Sequence, residues 1–357
     1  MKTIRRYLAN EILSNTVLVF VALLGLFAFF DLIQELGELN KGDYRLSFIL
    51  LYVLLSVPGH IYELFPIAAL IGTLTALAQL AKNSELTVIR VSGASPTNVA
   101  LAISEIGLIF VVLAFIFGEF VAPPSDREAQ RLRLKATSSV VAQQFRSGIW
   151  VKDQTSFVNV EQILPDSTLL GIKIFEFDPE YHLHTISYAK QGDYQSNNVW
   201  RLQEVNQTRF TDRKTTVNIL PEALWKSVIT PDLLNVLLVV PEQMSAWNLY
   251  NYIKHLRANK QQTSEHEIAF WGKLSYPFAV LVMMFLALPF AYYGQRHHGI
   301  GPKVFAGVML GLVFHFLNSL SGHLGVLNQW PPILTAILPT LFFLSTAAAM
   351  MWWIERR

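Results

Sequence analysis

The chain contains no cysteine. Disulfides and cysteine-ligated zinc are therefore excluded, and the redox compartment is left open. Charge is also scarce. Charged residues make up 15% of the 357 positions, against roughly 25% in an average soluble protein. That is too little to wet the whole surface of a chain this size. The net charge of +2 supplies no global basic field, so nothing points to nucleic acid. No GxxxxGK[ST] loop is present, which excludes ATP binding in a P-loop. The only close histidine pairs, His297-His298 and His182/His184, lie in a basic loop and on an alternating stretch, and make poor metal sites. No set of nucleophile, base and orienting residue can be assembled. We therefore expect no catalytic residue, no metal and no cofactor.

Apolar residues fill the gap, at 52% of the chain. Six segments approach or exceed the ~20 residues that cross a bilayer as helix. They are Ile12–Ile33, Val57–Leu80, Val99–Ala122, Leu274–Tyr293, Val304–Gly322 and Ile333–Ile354. The N-terminal run is too long for a signal-peptide core and lacks a cleavage pattern, so it reads as a retained span. The second apolar stretch begins near Phe48, and Pro58-Gly59 predicts a kink with an interfacial first part. Orientation follows from charge. With the N-terminus inside, the inner segments hold Lys2, Arg5, Arg6, Lys82, Arg90, Arg296, Lys303, Arg356 and Arg357. The short outer loops hold Lys41 and Arg45. This obeys the positive-inside rule and puts both termini in the cytoplasm.

The segment 123–267 then falls outside. Gly148–Ile163, Leu169–Asp178, Val199–Val205 and Thr215–Leu220 alternate apolar and polar residues between turn clusters. They predict short antiparallel strands in a sandwich, jellyroll or open barrel. A helix over 241–258 leads back to the fourth span. The fold class is a six-span helical bundle with an inserted all-β, jellyroll-like domain. Its parts are residues 1–122 (spans one to three), 123–267 (β domain and connecting helix) and 268–357 (spans four to six).

Two soluble constellations stand out. In "AKNSELTVIRVSGASP", Ser84 suits a helix N-cap and Glu85 the first turn, while Gly93 and Pro96 end the helix. This short cytoplasmic helix, 84–93, exposes Leu86, Val88, Ile89 and Val91. It lies on headgroups or docks into a cytosolic partner, since a helix so short needs support. In "VAPPSDREAQRLRLKA", Arg127, Arg131, Arg133 and Lys135 gather positive charge just outside the third span. They form a solvated juxtamembrane helix or a phosphate contact. Within the spans, Glu63 and Glu105 are costly acids that suit an aqueous cavity or an interface. Gly307 and Gly311 form a GxxxG pair suited to close helix packing.

Five stretches, in this order and spacing, carry a family resemblance: "SVPGHIYELFPIAALIGTL", "SELTVIRVSGAS", "GEFVAP", "GIWVKD" and "PPILTAILP". Over nearly its whole length the chain resembles the LptF/LptG permeases of the lipopolysaccharide exporter. The tryptophan in "GIWVKD" brings it closer to the LptG branch. The resemblance implies an inner-membrane permease that pairs with an LptF-like paralogue and is driven by an LptB-like cytosolic ATPase dimer. Lipopolysaccharide would be extracted through the cavity and passed to LptC/LptA-like periplasmic jellyroll proteins. The 84–93 helix matches the coupling helix, which implicates Ser84, Glu85, Leu86, Val88, Ile89, Arg90 and Gly93. Arg133 matches a basic position at the cavity mouth; Lys41, Arg131 and Lys135 join it as substrate-binding cations. Phe27, Phe30 and Phe316 are the implied apolar wall. Ala28 departs from a lysine that some members carry late in the first span. A rival reading is a membrane scaffold that recruits periplasmic partners without moving lipid.

Overall fold

The computed structural model describes residues 2–39, 44–91, 96–136, 148–153, 155–163, 168–178, 180, 182–196, 198–211, 214–227, 229–230, 241–258, 260–292 and 300–356. Six helices in it are long and apolar enough to cross a membrane. The first is α1 (Lys2–Leu36) and the second α2 (Leu46–Lys82). At 1.5 Å per residue, α2 is about 55 Å long, well beyond the hydrocarbon thickness. It runs unbroken through Pro58 and Pro66. Proline weakens the helical bonds to the carbonyls of the preceding turn. Close by, Tyr276 of a neighbouring helix donates its hydroxyl to the Glu63 carbonyl at 2.6 Å, one residue on from the Tyr62 carbonyl whose helical donor Pro66 removes.

A turn at Asn83-Ser84 leads into the short helix α3 (Glu85–Val91). The third span, α4 (Pro96–Ile116), passes through a π-turn, Phe117–Val121, into α5 (Ala122–Ala136). The helical rod thus continues well past the expected end at Ala122. Pro123 and Pro124 sit in the first turn of α5, where a missing N–H is tolerated. Gly118 in the π-turn lies against the Tyr62 ring, where a Cβ would come within 2.4 Å. Only glycine allows this approach of the two helices.

The β domain has six strands: β1 (Ile149–Asp153), β2 (Ser156–Ile163), β3 (Leu169–Phe177), β4 (Leu183–Ser196), β5 (Val199–Thr211) and β6 (Lys214–Lys226). Each pairs antiparallel with the next in one sheet, ordered β1-β2-β3-β4-β5-β6. One face buries Val158, Val160, Ile172, Ile174, Trp200 and Leu202. The sheet curls, because the chain after β6 returns to β1. There Ser227 Oγ donates to Asp153 Oδ2 at 2.6 Å, and the Trp200 indole donates to the Ile229 carbonyl at 2.7 Å.

Helix α6 (Ala246–Ala258) connects the sheet to the fourth span, α7 (Ser264–Tyr292), followed by α8 (Ile300–Leu327) and α9 (Pro332–Glu355). One core joins α1, α2, α4 and α7 through residues such as Ile12, Leu77, Ile103 and Met284. Another joins α2, α7, α8 and α9 through Leu74, Met283, Phe314 and Phe343. Gly307 and Gly311 face Ile71 and Ile67 of α2, so the GxxxG pair packs helix on helix as expected. Helices α2 and α7 are the interior of the bundle, with 78% and 61% of their apolar windows buried, against 6% for α1.

Candidate functional site

A cavity of about 760 Å³ opens between α2, α5, α7, α8 and α9, with Asp31 of α1 at its side. Its wall is polar by membrane standards. His60 Nε2 lies 2.6 Å from Asp31 Oδ2, and Phe27 packs against the His60 ring at 5.2 Å. Lys273 is buried, 5.0 Å above the Tyr62 ring, an arrangement that stabilises a desolvated ammonium. Asp126 reaches the cavity from α5, against Gly59. From α8 come His315, Asn318, Ser319 and His323. Glu63, singled out as an intramembrane acid, also lines this space.

At the ends of α1, α2 and α5 far from α3 lies a second cluster. Arg133 Nε approaches Glu35 Oε2 at 3.4 Å, and its guanidinium stands 6.0 Å from the Tyr52 ring. Tyr44 donates its hydroxyl to Glu35 at 2.8 Å. Burial first, and then this bond to a carboxylate, push the Tyr44 hydroxyl well above the ordinary phenol range. Arg131 pairs with Glu128 at 3.1 Å, one turn away on the same exposed face. Lys41 lies outside the described residues, and so does the side chain of Lys135. The structure thus joins Arg133 to Glu35, Tyr44 and Tyr52, and Phe27 to His60. Phe30 and Phe316 point outward from α1 and α8, 57% and 63% exposed.

Sequence reasoning missed Lys273, the Asp31–His60 pair and the polar face of α8. A signal for the last was present. His315, Asn318, Ser319, Gly322 and His323 recur at three- and four-residue spacing and form one stripe of an otherwise apolar helix.

On the opposite face, α3 packs beside the first turns of α1. Ser84 holds the cap position, and its carbonyl accepts from the amides of Thr87 and Val88, both at 3.1 Å. Its backbone is left-handed, φ +63°, rather than the extended form usual at a cap. Glu85 accepts from the Tyr7 hydroxyl at 2.7 Å and from Asn83 Nδ2 at 3.2 Å. Arg5 pairs with Glu105 of α4, which gives that intramembrane acid its partner. Ile89 is buried, while Val88 and Val91 are 67% and 83% exposed. The side chains of Leu86 and Arg90, and the whole of Gly93, lie outside the described residues.

Comparison with known proteins decides the family. The model of the lipopolysaccharide export system permease LptF/LptG matches residues 6–353. The chain belongs to the LptF/LptG family. It is 33% identical to the lipopolysaccharide export system permease protein LptG of Haemophilus influenzae, over all of this chain and 99% of that protein. It is 31% identical to the LptG of Escherichia coli, over 99% of this chain and 98% of that one. The Escherichia coli LptF is more distant, 26% identical over 38% of this chain and 37% of its own length. Within the family, then, the chain is similar to LptG from end to end and to LptF over a limited stretch.

Proposed function

We propose that this chain is the LptG-type permease subunit of a lipopolysaccharide exporter in the bacterial inner membrane. The observation that carries the reading is the full-length similarity to proteins named as lipopolysaccharide export permeases of the LptG type. The six apolar helices and the outward faces of α1 and α8, where Phe30 and Phe316 stand exposed, supply what such a permease needs. The large β domain stands outside and both termini inside, in accord with the loop charges. A bulky anionic lipid needs apolar walls for its chains and cations at headgroup height; Phe27, Phe30 and Phe316 serve the first role, and Arg131, Arg133, Lys135 and Lys41 the second. The exposed edge of α3, with Val88 and Val91, docks into a groove of an LptB-like ATPase, so hydrolysis takes place on that partner. An LptF-like permease completes the cavity, and LptC/LptA-like proteins accept the lipid from the β domain.

The deciding experiment is reconstitution. The chain is co-expressed with its paralogous permease and ATPase and placed in lipopolysaccharide-loaded liposomes. ATP-dependent appearance of the lipid on a soluble jellyroll acceptor supports the reading. ATP hydrolysis with no lipid moved would favour a scaffold instead.

A further inference from the structure

The cytoplasmic end of α1 is tied on two sides. Arg5 holds it to α4 through Glu105, and Tyr7 holds it to α3 through Glu85. Between α1 and α3 lies a mostly apolar notch of about 360 Å³, lined by Thr3, Ile4, Tyr7, Glu85, Val88 and Ile89. Helix α3 has seven residues, and among its described side chains Ile89, which is buried, and the Tyr7–Glu85 bond fasten it to the bundle. A helix of two turns has little rigidity of its own, so its orientation depends on such ties. Helix α1, in turn, is the least buried span of the bundle and carries Asp31 to the side of the outer cavity.

We propose that Tyr7 is a positioning residue for energy coupling. Its hydroxyl fixes the Glu85 carboxylate and joins α3 directly to α1, so that a displacement of α3 is passed to the helix that flanks the cavity. This deepens the reading of α3 as the ATPase-docking helix and rests on it. The tie does not require Tyr7 to touch the ATPase. Docking and transmission therefore separate: the exposed Val88 and Val91 edge makes the contact, and the Tyr7–Glu85 bond conveys the motion.

The test uses Tyr7→Phe, which keeps the ring in the notch and removes only the donor. The chain has no native cysteine, so a nitroxide on Val88→Cys reports α3 alone, in permease without ATPase. Loss of the tie should raise the mobility of that label. In the reconstituted complex, ATPase association should stay near the parental level, while lipid moved per ATP should fall on the order of fivefold. Tyr7→Lys, which returns a donor of similar reach and opposite charge to Glu85, should restore much of the coupling; a ring needed only for packing would not be rescued this way. An unchanged spectrum together with unchanged lipid per ATP would overturn the proposal, as would loss of ATPase association in Tyr7→Phe. The docking reading fails by a different measurement, full ATPase association when Val88→Asp and Val91→Asp are combined on the exposed edge, which the label on the permease alone does not touch.

Discussion

Arg133 and Glu35 form an ion pair across the C-terminal ends of α5 and α1, with the carboxylate side chain 4% exposed and the guanidinium side chain 32%. The buried partner cannot be left alone cheaply. Arg133→Ala should lower stability by about 1–2 kcal/mol, allowing for the arginine's partial exposure, read as a fall in the thermal midpoint in detergent. If a lipid phosphate competes with Glu35 for this guanidinium, Glu35→Gln should raise lipopolysaccharide capture by a crosslinker placed nearby on α5. Changing Arg131, Arg133 and Lys135 together to glutamate should abolish export with ATPase binding intact, each cation near anionic lipid being worth ~1 kcal/mol. Normal export by the triple variant would make the cluster a solvated face.

The orientation prediction uses the absence of cysteine directly. Single cysteines at Thr216 on exposed β6 and at Arg356 should label from opposite sides in intact cells and inverted vesicles. Labelling of both from one side would remove the proposed topology.

Glu85→Lys should weaken ATPase association or uncouple hydrolysis from transport, with the bundle still folded. Loss of the Tyr7 and Asn83 bonds to the carboxylate, with a reversed charge beside the docking edge, gives the direction of the effect, and pull-down with the purified ATPase measures it. Parental association and transport in this variant would make α3 an ordinary surface element.

Glu119, in the π-turn, accepts from the backbone amides of Ala246 at 2.7 Å and Trp247 at 3.1 Å. It thereby caps α6 with a side chain distant in sequence. Glu119→Ala should cost about 1–2 kcal/mol at that helix end, seen as faster amide exchange over 246–250. Glu119→Gln, with one acceptor oxygen left, should fall between the two.

Asp178 gives a pH prediction in the β domain. The amides of His182 and Glu180 donate to it at 2.8 and 2.9 Å. These bonds, the His182 amide foremost, hold its carboxyl below the usual range. A group depressed in the folded state adds stability above its unfolded pKa and loses it as pH falls through the folded one. Protection of the Glu180 and His182 amides should therefore hold at neutral pH and decline below about pH 4. Asp178→Asn should show no such acid step; hydrogen exchange read by mass spectrometry compares the two.

The apolar spans were legible because length and charge deficit are properties of contiguous sequence. So were most strands, through alternation. β4 was harder: Lys190-Gln191-Gly192-Asp193 gives little apolar alternation, and the strand is held by ladders on both sides. A juxtamembrane helix after the third span was expected from Val121–Ala136, whereas its join to that span through a π-turn has no local sequence signature. The site divides in the same way. Arg133 and Glu85 could be named from local motifs, whereas their partners Glu35 and Tyr7 are 98 and 78 residues away in sequence. Such pairs exist only once helices are packed, and no local pattern encodes them. Lys273 was hidden because one lysine in an apolar run looks like a span boundary until Tyr62 is brought beneath it.

The uneven burial of the spans bears on how the chain can do mechanical work. α2 and α7 share their side chains with both cores, so shifting either would tear close-packed contacts in several directions at once. α1 is held along its length by α2 and at its ends by α3, α4 and α5 through Tyr7, Arg5 and Glu35, while most of its apolar surface faces outward. A displacement of α1 would disturb fewer packed neighbours than one of α2 or α7, since it touches only one of the two bundle cores. The bundle thus has two spans locked from several sides and one laid along its flank, which Arg5 and Tyr7 fasten at one end and Asp31 and Glu35 at the other.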